Sequence, residues 1–215
     1  MHAEDTRTSL LNTAILLFGQ HGYDGVTTRM LAEAANANVA AIKYYFGSKD
    51  ALYAATIDHI VKLVKPRLDM LVGMVGQARN IASDDPARQA LLVSQLVDSV
   101  LDIFLRTPEI KPMVRFVLRE LFVPGPHFDR FYDPISRRLH ETLTDLVAWI
   151  LDLDPKAPAT IARTQALIGQ LIVYQIGQAI LQRRLGIEAY GATELELIRE
   201  QATRSVLMSL GLPCE

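Results

Sequence analysis

The chain has 215 residues, half of them apolar, with 22 Lys and Arg against 24 Asp and Glu. That length supports one or two domains with a real core, and the slightly negative balance means that any affinity for nucleic acid must rest on placement rather than bulk charge. The single cysteine, Cys214, excludes an internal disulfide, fits a reducing compartment and reads as an incidental thiol near the tail. No charged-then-apolar leader and no apolar run of bilayer length is evident, so a soluble cytoplasmic protein with no membrane partner is expected.

In chain order, residues 5–22 pattern as an amphipathic helix, with Leu10, Ala14, Leu17 and Phe18 at helical spacing, Asp5 or Thr6 as cap and Gly22 as stop. Tyr23-Asp24-Gly25 is a turn. Two short helical patterns then follow with almost no room between them. Leu31, Ala32 and Ala35 make one apolar face, Asn36-Ala37-Asn38 interrupts it, and Val39, Ile42 and Phe46 resume it. This is helix-turn-helix spacing. Asn36 falls where the turn needs φ > 0, a position Asn tolerates best after Gly. Asn38 is placed to cap the second helix, Gly47 to end it, and Ser48 to cap the next. Thr28 opens the first.

From Ser48 a longer helix is expected through Leu52, Ala55, Ile60, Leu63 and Val64, kinked or ended by Pro66. Asp85-Pro86 reads as an N-cap with Pro at the first helical position, opening a helix through Leu91, Val97 and Leu101 to about Arg106. Thr107-Pro108 repeats the signal for a helix to Phe122, and Pro124-Gly125-Pro126 breaks it. A further helix is expected over 128–151, with Asp133-Pro134 as a restart or kink. After Asp154-Pro155 come two long patterns, Ala159–Leu185 and Thr193–Leu210. No β-alternating stretch competes, so the expected class is all-α.

The residues of the first quarter resemble the TetR family of bacterial transcriptional regulators. The resemblance rests on Phe18…Gly22-Tyr23, Thr27-Thr28, Ala32…Asn36, Tyr44-Tyr45-Phe46 and Lys49, which agree in order and spacing. The runs NVAAIKYYFGSKDALY and TQALIGQLIVYQIGQAIL are similar to the CecR-like subgroup. Asn36 replaces the usual turn Gly, and Lys43 stands where many members carry Tyr. The resemblance implies a three-helix helix-turn-helix DNA-binding domain over residues 1–50, with the motif at 27–46, and a larger helical ligand-binding and dimerisation domain over 51–215.

Residues 1–50 carry four cations, Arg7, Arg29, Lys43 and Lys49, against five carboxylates. DNA binding must therefore use helix N-termini, whose free N–H groups and partial positive charge suit phosphate. Three starts cluster near Thr28, Asn38 and Ser48. Thr27, Thr28, Asn38, Tyr44 and Lys49 are the expected phosphate contacts, which set register without reading sequence. Ala40, Ala41 and Lys43 are the expected readers, Lys43 through guanine and Ala40 through a thymine methyl. Lys43 reads equally as a solvated or phosphate-bound lysine. Of Tyr44 and Tyr45, Tyr45 is the one expected to pack inward.

The Ala159–Leu185 pattern is apolar on more than one face, so it needs cover on two sides. A central helix of a monomer satisfies this. The resemblance favours a homodimer in which Gly169, Val173, Ile176, Gly177 and Ile180 meet a second copy and the helix over 193–210 completes a four-helix bundle. A dimer also matches a palindromic operator, because paired recognition helices must reach successive major grooves. An inducer pocket is implied by the resemblance alone, with Phe104, Phe116, Arg119, His140, Trp149 and Tyr174 as its candidates; core packing explains each as well. No catalytic motif, metal-ligand spacing or cofactor signature appears. The expected function is a sequence-specific, double-stranded DNA-binding repressor released by a small molecule. The alternative is a helical binding protein or enzyme whose N-terminal motif is structural only.

Overall fold

In a computed structural model, which describes residues 3–81, 85–106 and 111–214, the chain folds into helices and turns, with no strand among those residues. Helix α1 spans Ala3–His21 and buries Leu10, Leu11, Ala14, Ile15 and Phe18, leaving Leu17 half-buried. It begins ahead of the expected caps, so Asp5 and Thr6 lie inside it; Ala3 and Glu4 are helix formers that let the first turn extend upstream. Gly22, at φ 74°, closes α1 with its N–H donating to the Phe18 carbonyl at 2.8 Å.

Helix α2 (Thr28–Ala34) and helix α3 (Val39–Phe46) form the expected pair. Asn36 between them adopts φ 50°, the left-handed turn residue the sequence called for. Leu31, Ala32 and Ile42 are buried, but Val39 is 46% exposed and does not join the apolar face. It is the first residue of α3, beside the cap, where the chain has only just turned back toward the core.

Helix α4 runs from Lys49 to Ile81 with Pro66 inside it, so the proline does not end the helix. Pro66 lies on an exposed stretch with Lys62, Leu63 and Arg67. The one ladder bond that Pro66 forgoes is lost on a solvent-facing turn, where the Arg67 guanidinium donates to the Leu63 carbonyl at 3.5 Å. Helix α5 (Pro86–Leu101) opens at Asp85, whose carboxylate accepts from the Ala87 N–H at 3.0 Å, and passes into a wider π turn over Asp102–Arg106. Leu91 points outward, 61% exposed, while Leu92, Val93, Leu96 and Val97 form the inner stripe. The expected start at Thr107-Pro108 lies outside the described residues. Helix α6 covers Lys111–Phe122. A short helix α7 (Asp129–Phe131) continues through a π segment at Tyr132–Arg137, containing Pro134, into helix α8 (Arg138–Leu151).

The pattern expected over 159–185 is two helices, α9 (Pro158–Ile176) and α10 (Gln178–Leu185), separated at Gly177. Helix α11 spans Ala192–Ser209, its start closed by Glu194 accepting from the Gly191 N–H at 2.8 Å.

Two compact units result. The first comprises Met1–Leu68 and Glu109–Arg137, the second Asp69–Pro108 and Arg138–Glu215. This division does not follow the boundary expected after residue 50. The early turns of α4 and the whole of α6 pack with α1, and at Gly19 an added Cβ would meet the Phe116 backbone nitrogen at 3.2 Å. In the second unit α5, α9 and α11 bury one core that includes Val97, Leu101, Leu167, Ile198, Ala202 and Val206, and α8 contributes Val147. A smaller cluster joins Val75 of α4 to Leu92, Leu96 and Leu146. No helix among the described residues is long and apolar enough to cross a membrane.

Candidate nucleic-acid interface

Each of the three helix starts in residues 27–51 is closed by a side chain, at Asn38 and Ser48 as expected and, for α2, at Thr27, one residue before the Thr28 that opens it. Thr27 Oγ1 accepts from the Met30 N–H at 3.2 Å, Asn38 Oδ1 from the Ala40 N–H at 2.8 Å, and Ser48 Oγ from the Ala51 N–H at 3.0 Å. Each cap leaves further first-turn N–H groups open, the feature that makes a helix start attractive to phosphate. The α2 and α4 starts are adjacent, because the Lys49 ammonium, on the first turn of α4, lies 2.9 Å from the carbonyl of Val26, immediately before the α2 cap.

Side-chain exposure divides the expected contacts. On α3, Val39, Ala40, Lys43 and Tyr44 are exposed, with Tyr44 at 82%, while Ile42 is 2% exposed and anchors the helix. Ala41, Tyr45 and Phe46 are half-buried. Tyr45 is the more inward of the two tyrosines and meets Tyr44 edge-on at 4.9 Å.

The four cations of this region differ in how far they are committed. Arg29 bonds Glu33 at 2.8 Å. Arg7 sits over the Phe46 ring at 5.3 Å. The Lys49 ammonium donates to the carbonyls of Tyr23 and Val26, each at 2.9 Å, and lies 4.1 Å from the centre of the Tyr23 ring. Among the described residues no partner is seen for Lys43, which projects from the exposed face of α3. The charge available to a DNA strand is thus concentrated on the recognition helix, although the segment as a whole carries no cationic excess.

Behind this surface lies a brace that the sequence did not announce. Tyr53 of α4 is 1% exposed and Glu120 of α6 is 3% exposed. The Tyr53 hydroxyl donates to Glu120, whose other carboxylate oxygen accepts from the Gly125 N–H at 3.1 Å. Burial, reinforced by the Glu120 carboxylate, raises the Tyr53 phenol well above its ordinary range. Tyr53 packs edge-on against Phe18 and Tyr23, and His127 approaches Asp50 at 3.0 Å. The one sequence signal for this brace is that Glu120 is the sole carboxylate in α6. The neighbouring Arg119 guanidinium covers Gly22, leaving no room there for a Cβ.

The six candidate pocket residues are divided between the two units. Phe116 is buried in the first unit, 5.6 Å from the Tyr53 ring, and Arg119 lies beside Gly22 in the same unit. Helix α6 packs on α1 within that unit. In the second unit Phe104 is half-buried in the π turn, and His140 hydrogen-bonds Gln165 at 3.1 Å. Tyr174 packs on the α5–α9–α11 core, its phenol raised by burial. Trp149 lines an open depression of about 640 Å³ with Arg79, Gln89, Asp145 and Asp152.

The expected dimer residues form an exposed apolar stripe. Val173, Ile176 and Ile180 are 49%, 53% and 74% exposed, and Gly169 has open space where a Cβ would lie. Gly177 does something other than permit close approach. It breaks α9 from α10, and a Cβ there would meet the Val173 carbonyl oxygen at 2.8 Å.

Comparison with known proteins gives the following. A family model described as the C-terminal domain of the HTH-type transcriptional dual regulator CecR matches residues 87–212, and one described as bacterial regulatory proteins, tetR family, matches residues 10–56. The chain is 28% identical over 206 residues to the HTH-type transcriptional dual regulator CecR of Shigella flexneri, covering 93% of this chain and 89% of that protein. Its fold is similar to a TetR-family transcriptional regulator from Streptomyces coelicolor (TM-score 0.59, 19% identity, 99% of this chain and 97% of that one). It is also similar to AibR, solved in complex with isovaleryl coenzyme A and operator DNA (TM-score 0.63, 13% identity, 97% and 100%).

Proposed function

This chain belongs to the TetR family of bacterial transcriptional regulators, with a C-terminal domain of the CecR kind, and on that premise we propose that two copies bind a palindromic operator as a repressor that a small molecule releases. The observation that carries the reading is the pairing of the left-handed Asn36 turn with an α3 whose outward side chains are Lys43 and Tyr44. The first-turn N–H groups of α2, α3 and α4, with Thr27, Thr28, Asn38 and Tyr44, would hold the phosphates. Tyr45 would steady Tyr44 from its edge. Lys43, with Ala40 and Ala41, would read base edges in the major groove. Two-fold pairing through Val173, Ile176 and Ile180 would space two α3 helices for successive grooves.

The release step is a population shift. A ligand that prefers a conformer with the wrong recognition-helix spacing lowers operator affinity by no more than its preference between the two states. The neighbour solved with both an acyl coenzyme A and operator DNA supports a ligand-responsive regulator without naming this chain's ligand.

A gel shift against the DNA upstream of the protein's own gene tests the reading. Sequence-specific retardation is expected, weakened at least about tenfold in Lys43→Ala, the loss associated with one good base contact. Equal retardation of any DNA would count against sequence-specific regulation, and no retardation would return the chain to the alternative of a helical binding protein whose N-terminal motif is structural.

A further inference from the structure

We propose that Lys49 is a positioning residue that closes the helix-turn-helix into a ring, rather than a phosphate contact; this rests on the DNA-binding reading above. Its ammonium donates to two carbonyls that bracket the corner between α1 and α2, Tyr23 at 2.9 Å and Val26 at 2.9 Å. Val26 is followed directly by Thr27, the cap of α2, and Lys49 itself follows Ser48, the cap of α4. One cation therefore ties the residue entering α2 to the residue leaving the α3–α4 turn, so residues 26–49 form a loop whose two ends meet at one ammonium. Two of its three N–H donors are spent inside the protein, and its remaining face looks onto the Tyr23 ring at 4.1 Å.

The anchor on the far side is fixed. Val26 is 1% exposed, its N–H bonds back to the Tyr23 carbonyl, and the Tyr23 ring is held between Phe18 and Tyr53. Moving the Lys49 ammonium would remove both of its ties between the ends of the motif, leaving only the longer bond from the Tyr23 hydroxyl to Asp50 at 3.4 Å, with the buried core residues in place. A recognition helix held by a looser ring still meets phosphate through its N–H groups, but its side chains no longer arrive at base edges in one register. The clamp thus acts on the specificity of binding more than on its strength for arbitrary DNA.

The test uses the full chain and two kinds of DNA, the operator fragment and a scrambled duplex of equal length, over a salt series, with a melting curve for each variant. A lost phosphate contact lowers the slope of log affinity against log salt by about 0.9 per protomer. For Lys49→Met the clamp gives an unchanged slope, a melting point lower by a few degrees, and an operator-to-scrambled affinity ratio reduced about tenfold or more below the melting range. Lys49→Arg keeps the charge but replaces the compact ammonium by a planar fork, so it keeps the slope and still loses part of the ratio. That arm decides the matter if Lys49→Met does not fold.

A slope lowered by about 0.9 per protomer with the ratio intact would make Lys49 a phosphate contact and overturn the proposal. A lower melting point with slope and ratio both unchanged would make the lysine merely structural and overturn it as well. If the unaltered protein shows no preference for the operator, the DNA-binding reading fails first and the clamp falls with it.

Discussion

At the scale of single residues, the buried Tyr53–Glu120 pair sets the sharpest expectation. The hydroxyl of Tyr53 and the N–H of Gly125 are what hold a carboxylate that is almost wholly removed from water. Tyr53→Phe removes one donor and leaves Glu120 short of a partner, so a loss of about 1–3 kcal/mol is expected in urea denaturation at neutral pH. The pH dependence follows from the raised phenol. The unfolded side chain ionises near its ordinary value of 10.0, while the folded one keeps its proton to higher pH. Its contribution is therefore constant below pH 10 and is lost as pH climbs beyond it. Tyr53→Phe should flatten that alkaline decline, in part because Tyr23, Tyr174 and Tyr190 are raised as well and keep the rest. An alkaline denaturation profile identical in the two proteins counts against the pair.

At the scale of elements, α4 is where local rules and context disagree. A proline inside a helix removes one ladder bond and crowds the preceding turn, which is why a stop at Pro66 is the natural expectation. The helix passes through because that turn faces solvent and because burial continues beyond it at Leu68 and Val75, 5% and 3% exposed. Pro66→Ala restores the missing bond on an exposed surface and should stabilise the chain by about 1–3 kcal/mol, read as a higher melting point. An unchanged or lower melting point would mean that the proline's geometry is itself required. Gly177 makes the complementary case: apolar periodicity ran on across it, yet the backbone leaves helical geometry there, in a conformation where an added Cβ would crowd the Val173 carbonyl.

At the scale of the whole molecule, the stripe of Val173, Ile176 and Ile180 leaves a large apolar area facing outward on α9 and α10. Sedimentation at micromolar concentration should give twice the chain mass for the unaltered protein. Ile176→Asp combined with Ile180→Asp would bury unpaired carboxylates at that seam, so the mass should fall to that of one chain and operator binding should fall with it. A monomeric unaltered protein would refute the dimer, and a double variant that stays dimeric would place the two-fold contact elsewhere.

Sequence alone determined the elements that depend on near neighbours. The caps at Thr27, Asn38, Ser48 and Asp85 and the left-handed turn at Asn36 are set within a few residues, so the helix-turn-helix and the all-α class were readable directly. Only the tertiary structure decided which distant residues share a unit and which charges remain free. Helix α6 joins α1, placing Phe116 and Arg119 in the first unit, and Lys49 turns inward to two carbonyls. A side chain's partner across the fold is fixed by packing and desolvation, which no local spacing encodes; the same lysine reads as a phosphate contact in the chain and as a clamp in space.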